Sequence, residues 1–248
     1  MSDLREEVRA RYAERALTIV GQDAACCESD CCGDVAVSCG DAYTAEELAS
    51  VGMAAGASLG CGNPTLLTDL KPGQMVLDLG SGAGLDVLLS AKRVSPGGHA
   101  YGVDMTDEML AVAKGNQVKA GVTNATFLKG TIEALPLPDA SVDVVLSNCV
   151  INLAADKSVA IGEAFRVLRP GGRLAVSDMI ALEEMTPEAK RDLDLWAGCI
   201  SGTISRDAYV AELERAGFEG IDVDITREVT LPGVEGRIAS ASIRALKP

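Results

Sequence analysis

The capacity of this chain for chemistry lies in sulfur. Eight cysteines stand against a single histidine. Five of them, Cys26, Cys27, Cys31, Cys32 and Cys39, crowd into a stretch rich in Gly, Ser and Asp that lacks periodicity and reads as a loop. Three stand apart: Cys61 in Gly60-Cys61-Gly62-Asn63-Pro64, Cys149 in Ser147-Asn148-Cys149-Val150-Ile151-Asn152, and Cys199 in Trp196-Ala197-Gly198-Cys199-Ile200-Ser201-Gly202. Any one of these is readily explained as a small buried hydrophobe. Three of them beside a paired cluster make that explanation less attractive, and in a reducing compartment cysteines serve as nucleophiles or ligands rather than as a disulfide framework. A three-thiolate set without histidine suits soft ions: trivalent arsenic or antimony, zinc, or cuprous copper. The lone His99, in Ser95-Pro96-Gly97-Gly98-His99, reads as a turn residue, which removes Ser-His-Asp and Cys-His catalysis and histidine metal sites.

These residues need a scaffold, and from Met75 onward the punctuation supplies one. Met75 to Leu79 is a buried-strand run, Gly80-Ser81-Gly82-Ala83-Gly84 a turn, and Leu85 to Val94 a helix. A second strand, Ala100 to Asp104, is followed by a helix that starts at Thr106-Asp107-Glu108 and stops near Gly121. Further strands are expected at Ala125 to Leu128, Val142 to Ser147, Arg173 to Ser177, Ile221 to Ile225 and Ala239 to Ala245. Between them lie a helix carrying Ile161, Phe165 and Leu168, ended by Pro170-Gly171-Gly172, and another over Arg206 to Ala216 closed by Gly217. Seven strands alternating with helices predict an α/β fold with a doubly wound, mostly parallel, Rossmann-like sheet. Ahead of it, Leu4, Val8 and Tyr12 mark an amphipathic helix over residues 4 to 20. Thr44-Ala45-Glu46-Glu47 is a capping box, and Pro64 opens a helix over Thr65 to Leu70. The chain thus divides into a helical, Cys-rich segment, residues 1–70, and a core, residues 71–248, with an insertion around residues 180–205.

The formal charge of −14 and 48% hydrophobic content describe a globular chain whose acidic surface repels nucleic acid and anionic membranes. The N-terminus is charged from Asp3 and carries no apolar core with a cleavage site, so a cytoplasmic location is expected.

The glycine turn predicts a nucleotide-like cofactor, because it follows a strand, opens a helix and has Asp104 at the tip of the next strand to accept hydrogen bonds from ribose hydroxyls. Its spacing, Gly80-x-Gly82-x-Gly84, is not the G-x-G-x-x-G of dinucleotide folds. Asp78 to Gly84 instead resembles motif I of the class I S-adenosylmethionine-dependent methyltransferases. Gly130-Thr131-Ile132-Glu133-Ala134-Leu135-Pro136 resembles their adenine-contacting segment, with Thr131 in place of a frequent Asp, and Phe165 to Gly172 resembles the segment before their fifth strand. The resemblance implies S-adenosylmethionine held by Asp78, Gly80, Ser81, Gly82, Gly84, Asp104, Met105, Thr131, Ile132, Glu133 and Asn148. Cys149, after the fourth strand, should then face the transferable methyl group. Trivalent arsenic on three thiolates keeps an exposed lone pair, and a lone pair aimed at a sulfonium methyl needs no general base.

Over nearly its whole length the chain resembles the bacterial arsenite methyltransferases, on Gly60 to Pro64, Leu77 to Asp86, Ser147 to Leu153 and Trp196 to Ile200. That resemblance implies trivalent arsenic on Cys61, Cys149 and Cys199, and an N-terminal relay cysteine that exchanges disulfides with them. Cys32 is favoured as the relay among the five candidates. Thioredoxin or glutathione would serve as reductant, arsenite or its thiol conjugates as substrate, and a monomer as the working unit. Two alternatives stay open: methyl transfer to a small organic nucleophile with structural cysteines, and a thiol-rich protein that binds metalloid or zinc without catalysis.

Overall fold

A computed structural model describes residues 2–21, 42–53, 60–187, 189–192, 195–196, 198–229 and 236–248. The five clustered cysteines, Cys26 to Cys39, lie outside these residues, and so does the expectation that Cys32 is the relay.

Seven strands form one sheet in the order β3-β2-β1-β4-β5-β7-β6. They are β1 Met75–Leu79, β2 His99–Asp104, β3 Ala125–Lys129, β4 Val142–Asn148, β5 Leu168–Ala181, β6 Glu219–Val229 and β7 Ile238–Leu246. The first five run parallel, and β7 pairs antiparallel with both β5 and β6. Chain order reverses between β1 and β4, so their carboxyl ends diverge into a crevice, the place where open α/β sheets bind ligands. β1 and β4 read as continuous apolar runs because both their faces are covered. Leu77, Val145, Val176, Ile161, Ala164 and Tyr209 pack on one side, and Val87, Leu88, Leu110, Ala113 and Phe127 on the other.

The helices begin and end where side-chain chemistry dictates. Helix α1 is Ser2–Gly21 and α2 Ala45–Ser50, the latter opened by a reciprocal Thr44/Glu47 capping box. Helix α3, Leu85–Arg93, starts from left-handed Gly84, and α4, Asp107–Ala120, stops at left-handed Gly121. Helix α5, Lys157–Val167, is capped by the Asp156 carboxylate, and α6, Arg206–Ala216, by the Ser205 hydroxyl.

Three expectations change. His99 is the first residue of β2 rather than part of a turn, and its Nε2 lies 2.8 Å from the Thr126 hydroxyl on β3. The helix expected over Thr65 to Leu70 is a single 3-10 turn, Pro64–Leu66, because Arg93 takes the Thr65 carbonyl (2.6 Å) and Pro72 lies ahead. Strand β5 begins at Leu168, upstream of Pro170-Gly171-Gly172. The register shift between Val142 and Val144 absorbs those residues, and reciprocal bonds of Gly171 and Gly172 with Lys247 hold them.

Candidate active site

The cleft at the β1/β4 switch encloses about 1030 Å³, counting its open mouth. Its floor is the turn after β1. The Ser81 amide donates to the Val103 carbonyl (3.0 Å) and the Gly84 amide to the Ser81 carbonyl (2.8 Å), which closes the turn and starts α3. Gly82 has φ 48°, and a Cβ on it would meet no atom within 4 Å, so it leaves room for a ligand beside the backbone. Gly84 does something else: it has φ 89°, and a Cβ there would lie 2.7 Å from Cζ of Phe127, which makes it a packing residue outside the cleft lining.

The other expected cofactor residues, Asp78, Gly80, Ser81, Gly82, Asp104, Met105, Thr131, Ile132, Glu133 and Asn148, all line the cleft. Asp104 is aimed by the backbone, one carboxylate oxygen accepting from the Gly82 amide (2.9 Å) and the other from the Thr106 amide (2.8 Å). The segment carrying Thr131 to Glu133 is clamped by α5. Glu163 accepts from the Leu135 amide (2.7 Å), while Arg166 donates to the carbonyls of Leu137 (2.9 Å) and Leu135 (3.2 Å).

Burial shapes the electrostatics. Asp78 is pushed well above the ordinary carboxylate range by burial and by the charges of Asp86 and Asp104. Asp86 is raised to about 6 by burial, with Tyr43 and Asn148 pulling the other way through hydrogen bonds. Asp104 is raised by burial against its backbone bonds. Three carboxylates around one cleft are complementary to a ligand that carries positive charge. Asp86 was not among the expected residues, nor were Val8 and Tyr12 of α1, which wall the cleft. An acidic residue in the first turn of α3 and the Val8/Tyr12 stripe were the available signals, and each had a sufficient structural explanation.

The three isolated cysteines converge at one end. Cys149 follows β4 and lines the cleft; Cys61 is bonded to it, with Cα atoms 6.0 Å apart. Cys199 keeps its thiol, buried, with Sγ donating to the Cys149 carbonyl at 2.6 Å. Cys61 and Cys149 are joined as a disulfide, and among the described residues no three His, Cys, Asp or Glu side chains stand as a ligand set. Sequence spacing does not reveal that pair, whose members are 88 residues apart.

The backbone distinguishes these cysteines from core filler. Among the described residues only Ala140, Cys149 and Cys199 are non-glycines with positive φ, at 49°, 58° and 62°. Left-handed backbone costs a residue with a Cβ about 1–3 kcal/mol. Glycine would meet none of that cost, so the conformation sets both cysteines apart from ordinary core residues. Two further residues of the cysteine-bearing segments lie behind this end of the site. Asn152 is fully buried and donates to Asp178 (2.8 Å) and to the Met179 carbonyl (2.7 Å), away from the cleft. Trp196 lies under the Lys157 ammonium, 5.6 Å from ring centre to nitrogen, and its carbonyl accepts from the Cys199 amide (2.9 Å).

Fold, glycine turn and cleft define a methyltransferase domain, and the family so described matches residues 70–217. An arsenite methyltransferase of Halobacterium salinarum is 42% identical over 233 residues, 89% of this chain and 59% of the relative. One from Aquipseudomonas alcaligenes is 41% identical over 166 residues, 64% of this chain and 47% of the relative. The crystal structure of an arsenic(III) S-adenosylmethionine methyltransferase from Chlamydomonas reinhardtii superposes with a TM-score of 0.70 at 31% identity, covering 82% of this chain and 74% of that one. The chain belongs to the arsenite methyltransferase branch of the methyltransferase-domain family. It spans about half to three fifths of the length of the two curated relatives. No helix among the described residues is long and apolar enough to cross a membrane.

Proposed function

We propose that this chain transfers the methyl group of S-adenosylmethionine to trivalent arsenic held by its own thiolates, with arsenite or its thiol conjugates as substrate. The observation that carries the reading is the convergence of Cys61, Cys149 and Cys199, from three distant segments, at the end of the cleft where Cys149 is strained into view.

The cleft fits the methyl donor. Gly82 leaves open space beside the turn, Asp104 is oriented for ribose hydroxyls, and Asp86 complements a positively charged donor. When bound, S-adenosylmethionine supplies an electrophilic methyl group for the arsenic lone pair. The protein's part begins with reduction: two equivalents of an external thiol, such as glutathione, or one dithiol, such as thioredoxin, open the Cys61–Cys149 bond and leave as a disulfide. Three cysteine thiols then displace three hydroxyls of arsenite, each thiol proton leaving with a hydroxyl as water. Holding the arsenic and the methyl-donor cleft in one enclosure replaces a bimolecular encounter, an effect that reaches about 7–11 kcal/mol of barrier when alignment is good. Methylation takes two electrons from arsenic; the sulfurs of Cys61 and Cys149 leave it as a disulfide, which returns those electrons and regenerates the pair seen here. Two waters take the vacated position and displace Cys199, whose thiol recovers a proton as the methylated trivalent arsenic departs. On this reading residues 1–70 load arsenic, with Cys32 as relay, and residues 71–248 bind the donor in a monomeric protein.

The test is transfer of labelled methyl from S-adenosylmethionine to arsenite with glutathione present, with arsenic species separated by chromatography and Cys149→Ser and Cys199→Ser run in parallel. Methylated arsenic from the native chain and none from either variant is expected. Undiminished arsenite methylation by both variants would make the cysteines structural and refute the thiolate reading, and no methylated arsenic from the native chain would instead favour a small organic nucleophile.

A further inference from the structure

We propose that Tyr43 is a positioning residue that couples the methyl-donor cleft to the Cys61 loop, so that a ligand in the cleft sets the exposure of the Cys61 sulfur. The inference rests on the reading of the cleft as the methyl-donor site and of Cys61 as a substrate thiol. Its basis is a hydrogen-bond network in which the short links run through Tyr43, with a longer direct contact from Asn148 Nδ2 to Asp86 Oδ2 at 3.4 Å beside them. The Tyr43 hydroxyl donates its one proton to Asp86 Oδ1 (2.7 Å), so it can only accept from Asn148 Nδ2 (3.0 Å). The same Asn148 amide nitrogen donates to the Gly62 carbonyl (2.7 Å), and Asn148 Oδ1 accepts from the Gly62 amide (3.3 Å). Asp86 and Asn148 both line the cleft, and the Asn148 amide also grips the residue after Cys61 and immediately precedes Cys149.

Little slack remains along this path. A Cβ on Gly60 would fall 2.1 Å from the Asn148 amide, and one on Gly62 would fall 2.7 Å from the Ser177 hydroxyl, so the Cys61 loop lies flush against both side chains. Asn63 fastens the same loop to the residue before Tyr43, donating to the Ala42 carbonyl at 3.2 Å. Arg93 joins Glu47 of α2 (2.7 Å) to the Thr65 carbonyl (2.6 Å) and keeps the Tyr43 segment in register with the loop. A positive charge arriving beside Asp86 polarises the Tyr43 and Asn148 bonds in sequence, and packed neighbours without slack pass the change on to the loop.

The test uses the full chain with the Cys61–Cys149 bond reduced and reads iodoacetamide alkylation cysteine by cysteine by peptide mass spectrometry, with and without saturating S-adenosylhomocysteine. Calorimetry measures the affinity of the same ligand. In the native chain the ligand should change the Cys61 alkylation rate by roughly fivefold or more, the lower end of ordinary coupling between sites, and in Tyr43→Phe by less than about twofold. The Phe ring keeps its apolar packing with Leu48, Val51 and Leu85, so the variant should fold, and saturation compensates for any loss of affinity. A native Cys61 rate indifferent to ligand, or a Tyr43→Phe ratio equal to the native one, overturns the proposal. In the double variant Tyr43→Phe/Asp86→Asn the losses should not add, because both cut one chain, and additive losses also overturn it. No arsenite enters this assay. Coupling without arsenite methylation would sink the proposed activity alone, and methylation without coupling would sink this inference alone.

Discussion

Gly82 and Gly84 stand two residues apart in one turn, and the structure assigns them opposite duties. Replacing Gly84 by Ala forces a Cβ into left-handed backbone, at about 1–2 kcal/mol, and presses it against Phe127 Cζ at 2.7 Å and Ala113 Cβ at 3.2 Å. Overpacking of a buried ring adds about 1–3 kcal/mol. The sum, about 2–5 kcal/mol, corresponds to a melting temperature lower by about 10 °C at this chain length. Gly82→Ala meets the same backbone cost and no steric one, since nothing lies within 4 Å of its Cβ, so its melting temperature should fall by only about 5 °C. Affinity should run the other way. The Gly82 methyl enters ligand space and should weaken S-adenosylhomocysteine binding at least about tenfold, or 1.4 kcal/mol, whereas folded Gly84→Ala should bind within about threefold of the native chain. Scanning calorimetry without ligand and titration calorimetry with it separate the two effects. Equal melting losses, or a larger binding loss for Gly84→Ala, would refute the division of labour.

Below about pH 6 Asp86 takes a proton and its attraction for a cationic ligand is lost, so S-adenosylmethionine affinity should fall with falling pH by up to tenfold per unit. Asp86→Asn should flatten that slope, and an unchanged slope by calorimetry would exclude Asp86 as its source. Asp178, fully buried and raised to about 7 by burial, contributes stability present below about pH 4 and lost as pH rises through 7. Melting curves of Asp178→Asn against the native chain should therefore shift in the variant's favour between pH 4 and pH 8, and a constant difference would contradict the assignment. Cys199→Gly relieves left-handed strain and gives up one small buried side chain, two effects of about 1 kcal/mol that nearly cancel. Its urea midpoint should stay near the native value while arsenite methylation is lost, and retained methylation would remove Cys199 from the chemistry.

Much of the scaffold was legible without coordinates, because it is written in local terms. The apolar runs of β1 and β4, the capping box at Thr44, the stop at Gly121 and the turn from Gly80 to Gly84 each depend on residues a few positions apart, and all appear where their patterns place them. Asp104 was legible for the same reason, since a strand tip one βα unit past a glycine turn is a local position. Where local signals conflicted, tertiary pairing decided. Pro170-Gly171-Gly172 reads as a break, yet the Lys247 backbone bonds carry β5 across it, and His99 reads as a turn until Gln74 and Thr126 hold it in the sheet. The site itself was legible only in part. Residue type marked Cys61, Cys149 and Cys199 as a soft-ion set, but composition cannot say which sulfurs touch. The crossover that places β4 beside β1 brings Cys149 to Cys61, and the insertion after β5 returns Cys199 to the Cys149 carbonyl. The left-handed backbone of two cysteines and the Asp86–Tyr43–Asn148 chain, whose ends are 62 residues apart, arise from the same source. Local propensity determines which segments extend or coil, while the order in which strands pair determines which distant side chains meet.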